Sequence, residues 1–153
     1  MHNDHTNVSV DRSIDTLNSF LRGEISAVET YRQAIDRLTD NPLRYQLKEC
    51  LDSHTMRVDS LRQRVQELGG TPSTSSGMWG TFARMIEGSA AMLGEKATIA
   101  ALEEGEDHGK NDYQRDLDQL DYETRSWFTS RIQPEQERTH DQLSALKKAL
   151  KGT

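Results

Sequence analysis

The sequence predicts an all-α protein folded as one four-helix bundle with up-down-down-up connectivity. Apolar residues recur at three- and four-residue spacing through four long segments. No segment shows the two-residue alternation of a strand, and the connections between segments run short, long, short. With 153 residues, of which 33% are apolar and 29% charged, the chain suits long solvated helices around a thin core better than a sandwich.

The opening MHNDHTN is polar, so residues 1–8 are expected to form a flexible N-terminus, with His2 and His5 in its frayed start. A single domain is expected over residues 9–151. Its first helix runs from about Ser9 to Thr39, with Ile14, Leu17, Leu21, Ile25, Val28 and Ile35 on one stripe. TDNP stops it: Asp40 or Asn41 caps the next helix, and Pro42 sits in that helix's first turn. The second helix carries Leu47, Leu51, His54, Val58, Leu61, Val65 and Leu68, and GGTPSTSSG ends it with glycine at the cap and proline beyond.

A connector with a short apolar helix around residues 78–93 follows. The third helix spans about Glu95 to Leu120, with Ile99, Leu102, Glu106, Tyr113, Leu117 and Leu120 in register. The fourth runs from near Asp121 to Lys151 through Phe128, Ile132, Leu143, Leu146 and Leu150. Tight links make helices 1–2 and 3–4 antiparallel, and a link of about 25 residues lets the chain recross the bundle between helices 2 and 3.

Charge and composition exclude several classes. The net charge is -6, and the one basic cluster, Lys147, Lys148 and Lys151, complements the last helix's dipole, so no nucleic-acid partner is expected. Cys50 is the only cysteine, which removes an intrachain disulfide. No apolar run reaches the ~18 residues of a membrane span and the N-terminus lacks a signal peptide's apolar stretch, so a cytoplasmic protein is expected. Met78, Trp79, Phe82, Met85 and Ile86 give the connector helix more apolar surface than a crossover needs. It is expected to cover a bundle edge, with some homodimerisation.

Projected at about 100° per residue, each helix turns polar side chains inward. Glu24 lies near the first stripe's centre, His54 at the second's, and Glu106 near the third's with Glu103 on its flank. The fourth helix places Gln136 and Thr139 inward, with Glu135 and His140 flanking. These positions share one level of the bundle. No lysine or arginine is expected among them, so a divalent metal pair is the economical partner for the buried carboxylates. Carboxylates with imidazoles suit iron, manganese or zinc. Glu137 and His140 have the Glu-x-x-His spacing of a bundle metal site, although the stripe turns Glu137 to the opposite face. Leu51 stands where a glutamate would precede His54.

The segments ELGGTP (67–72), EEGEDHGKNDYQRDL (103–117) and THDQLSALKKAL (139–150) resemble an uncharacterised bacterial four-helix-bundle family filed as a ferritin-like domain of unknown function. The resemblance covers nearly the whole chain. It implies a ferritin-like fold and a di-iron centre, with Glu24, Glu103, Glu106 and His140 as site residues; the family itself has no established activity.

Two expectations follow. The first is a ferritin-like protein binding one or two iron or manganese ions through Glu24, His54, Glu103, Glu106 and His140, with Glu137 as a further candidate. Ferrous oxidation or peroxide and metal-stress handling would be its work. The second is a metal-free helical interaction or stress-associated structural protein whose polar layer fixes helix register. Under the first, Glu106→Leu stabilises the metal-free protein and weakens its response to metal.

Overall fold

The structure, a computed structural model, describes residues 2–77 and 94–152, with side chains from Val10 onward. Helix α1 spans His2–Arg37, α2 Asn41–Glu67 and α3 Glu95–Asp116. A 3-10 turn at Leu117–Gln119 leads to α4, Tyr122–Arg131, and α5, Gln133–Lys151. The expected connector helix, with the apolar residues expected to cover a bundle edge and give some homodimerisation, lies outside the described residues. Among those described, no helix is long and apolar enough to cross a membrane.

Local chemistry sets the ends. Asp40 caps α2 by accepting the Leu43 amide at 2.8 Å, and Pro42 occupies the first turn, where its missing N–H costs nothing. At the other end Gly69 takes φ +88°, and the Gly70 amide closes on the Val65 carbonyl at 2.9 Å. Gly70 also packs against α1, where an added Cβ would lie 2.6 Å from Ile14 Cγ2.

The chain then runs back along α1. Asn18 accepts the Ser73 amide at 2.8 Å and donates to the Thr71 carbonyl at 3.0 Å, while Arg22 donates to Ser73 Oγ at 2.9 Å. That path returns it toward the α1 C-terminal end, so α3 starts there and runs parallel to α2. The result is up-down-down-up.

The fourth bundle helix is not continuous as expected. It breaks at Ile132 because Pro134, in the first turn of α5, has no N–H to carry the ladder across. Hydrogen bonds on both sides, Ile132 N to Phe128 O at 2.9 Å and Gln136 N to Ile132 O at 3.1 Å, keep the break local.

The apolar core comes in two blocks. One joins Tyr31, Ala34, Ile35 and Leu38 to Leu43, Leu47, Cys50, Ile99, Leu102 and Leu143. The other joins Leu17, Phe20 and Leu21 to Val58, Leu61, Val65, Tyr113, Leu120, Phe128 and Ile132. Between the blocks, every helix but α4 turns polar side chains inward: Glu24 on α1, His54 and Arg57 on α2, Glu106 on α3, and Gln136 and Thr139 on α5. All six are buried.

Candidate functional site: a charged layer across the bundle

His54 sits at the centre of this layer. Its Nδ1 lies 2.6 Å from Glu24 Oε2 and its Nε2 2.7 Å from Glu106 Oε2, so one imidazole bridges the carboxylates of two other helices. Tyr31 OH donates to Glu106 Oε2 at 2.6 Å, and Tyr113 OH donates to Glu24 Oε1 at 2.7 Å. Thr139 Oγ1 donates to Glu106 Oε1 at 2.7 Å.

Arg57 completes the layer, and here the structure corrects the sequence reading. No inward cation was expected, yet Arg57 is 0% exposed. Its Nη1 donates to Glu24 Oε1 at 3.3 Å, and its Nη2 donates to Thr139 Oγ1 at 2.7 Å and Ser53 Oγ at 3.1 Å. An i, i+3 spacing puts it on the same face as His54, and its length lets the guanidinium reach across to α5.

The electrostatics follow from these contacts. Burial raises the Glu106 carboxyl, but His54, Arg57 and the Tyr31 hydroxyl outweigh it and hold the group down at about 2. Burial likewise raises Glu24, and Arg57 and His54 bring its net shift below the ordinary carboxylate value. For His54, burial and the neighbouring Arg57 oppose the charge, and the flanking carboxylates reverse that, so its net shift is upward. Burial and the adjacent Glu106 push the Tyr31 phenol well up, and burial with Glu24 does the same for Tyr113. With His54 protonated, the layer holds Glu24 and Glu106 as anions and His54 and Arg57 as cations. It neutralises itself.

Of the expected site residues, Glu24, His54 and Glu106 come together. Glu103 pairs instead with Lys147 at 3.4 Å and accepts from Ser144 at 3.5 Å. His140 pairs with Asp107 at 2.6 Å near the surface, and Glu137 is exposed. None of these three hydrogen-bonds to the central trio in the described contacts. Sequence reasoning missed Arg57 and the Tyr31 and Tyr113 hydroxyls; the His54-x-x-Arg57 spacing was the available signal for the first.

Ferritin-like bundles take one glutamate from each of two helices and Glu-x-x-His from each of the other two. In this register those places are Glu24, Glu106, Leu51-x-x-His54 and Gln136-x-x-Thr139. Leu51, Gln136 and Thr139 therefore stand where the pattern has glutamate, glutamate and histidine. Among the described residues, no group of three or more His, Cys, Asp or Glu side chains is arranged to hold a metal ion.

Fold and layer together define a four-helix bundle of ferritin-like connectivity with a self-neutralised charged centre. The chain belongs to the family described as a domain of unknown function, DUF2383, whose model matches residues 12–119. The match takes in α1 from Arg12 onward and all of α2 and α3, and ends before α4. No curated protein and no solved structure matches the chain.

Proposed function

We propose that this is a ferritin-like protein whose metal layer has become a permanently charged, metal-free core, and that it serves as a helical-bundle interaction or stress-associated structural protein. The observation that carries this reading is the wholly buried Arg57 guanidinium paired with Glu24. A cation fixed at that point supplies the charge that metal ions supply elsewhere in the fold. Both His54 nitrogens and all four carboxylate oxygens of Glu24 and Glu106 already have partners. As arranged, these donors do not fit a dinuclear centre.

A second reading rests on one specific observation. Two carboxylates and an imidazole lie in a single layer, which is the donor chemistry iron and manganese take. On that reading Glu24, His54 and Glu106 hold one ion, and the His54 proton and Arg57 must give way to it.

Thermal melts with ferrous or manganous ion under anaerobic conditions separate the two. Native-state binding would add about 2.7 kcal/mol at a hundredfold excess over Kd. The metal-free reading expects no shift in the wild type with metal or chelator. Arg57→Leu, which leaves two carboxylates against one imidazolium, should acquire one. A metal shift in the wild type that disappears in Glu106→Leu would overturn this reading and establish the second.

A further inference from the structure

A cavity of about 60 Å³ lies between α1 and α3 and reaches down to the charged layer. It exists because the facing positions are small: Gly23 and Ala27 on α1, Gly105 and Gly109 on α3. A Cβ added at Gly109 would meet nothing within 4 Å. Small facing residues alone would signify only loose packing. The second observation is Gln136, which lines the same cavity from α5. Its side chain is buried, at 3% exposure, and its Nε2 has no hydrogen-bond partner among the described residues. A buried donor left unmade is destabilising, and a bound acceptor would remove that cost.

We propose that this cavity binds a small uncharged molecule that presents a hydrogen-bond acceptor to Gln136 and an apolar end to the Phe20 and Leu102 walls. The inference rests on the layer being held by its own charges. Because Glu24, Glu106, His54 and Arg57 already balance, an added anion or cation would break that balance, whereas a neutral guest leaves it intact. Size sets the upper limit. An engineered cavity that takes benzene measures about 150 Å³, so in proportion this one suits a molecule of roughly two or three non-hydrogen atoms, of the short alcohol class.

The test uses full-length protein stripped of metal, with ethanol as probe and formate as a charged counterpart with as many non-hydrogen atoms. Nitrogen-15 NMR should show saturable ethanol-induced shifts at the Gln136 side-chain amide and at Gly105 and Gly109, and no saturable response to formate. Gln136→Leu removes the donor and Gly109→Leu fills the space, so each should abolish saturation while the spectrum stays folded. Ala27→Leu, from the opposite wall, replaces either variant if it fails to fold. Linear, non-saturating shifts would mean that the cavity holds water only, and would overturn the proposal. Undiminished saturation in the folded variants would overturn it as well. Since no metal is present, failure here leaves the metal-free reading standing, and a wild-type metal shift in the melts is read separately.

Discussion

Glu106 shows how one neighbour reverses the expected effect of a substitution. Read from the sequence, it was an uncompensated core carboxylate, so leucine in its place was expected to stabilise the metal-free protein. In the structure it accepts from Tyr31, Thr139 and His54 at 2.6 to 2.7 Å. Glu106→Leu would leave Arg57 and His54 facing Glu24 alone, and would strip Tyr31 of its acceptor. Removing one partner from a buried charged pair costs about 3–5 kcal/mol, and urea denaturation should show a loss of that order. Glu106→Gln, which keeps the shape, should lose less. A leucine variant more stable than wild type would mean that Arg57 does not compensate Glu106. Glu24, His54, Glu106, Gln136 and Thr139 were legible because each interrupts an apolar stripe at its centre. Arg57 was not, because arginine is almost never fully buried without a partner, and its partner Glu24 lies 33 residues away. Tyr113 fitted its stripe as a ring, which says nothing about where its hydroxyl goes, and Tyr31 is not among the stripe positions read on α1.

At the scale of elements, Asp121 joins separate parts of the fold. Its carboxylate accepts the Thr124 amide at 3.3 Å as the α4 cap, and also accepts from Ser13 Oγ of α1 at 2.6 Å. Ser13 Oγ in turn accepts the Asp121 amide at 2.8 Å. Asp121→Ala should therefore cost more than a simple cap, about 1–2 kcal/mol. Hydrogen exchange should speed up in the first turn of α4 and around Ser13 together. Faster exchange confined to α4 would show that the link to α1 carries no stability. The helix ends at Asp40, Gly69 and Asp121 were readable because caps and glycine stops are written in adjacent residues. The break at Ile132 was not, since Phe128, Ile132 and Leu143 continue one apolar stripe straight past Pro134.

For the whole molecule, the charged layer predicts a stability maximum at mildly acidic pH. Glu106 is held at about 2 in the folded protein, against about 4.3 unfolded. Its contribution is full above the unfolded value and is lost as pH falls toward the folded one. Glu24 and Asp121, also lowered, steepen that acid limb. His54 is raised, so its contribution is full below its unfolded value of about 6.5 and is lost as pH rises through the folded value. Further up, buried Cys50 is pushed to about 12 by burial and Glu106. It begins to destabilise above its unfolded value of about 8.5, and the raised tyrosines act at higher pH still. Melting temperature should therefore be highest between roughly pH 4.3 and 6.5. His54→Gln should lower that plateau, because it removes a cation from between two carboxylates. It should also erase the decline that starts near neutrality, leaving stability flat to about pH 8.5, where Cys50 takes over. Melts of both proteins across pH 3 to 10 decide the matter. An alkaline decline that survives unchanged in His54→Gln would mean that His54 is neutral in the folded protein, and that Arg57 alone balances the two carboxylates.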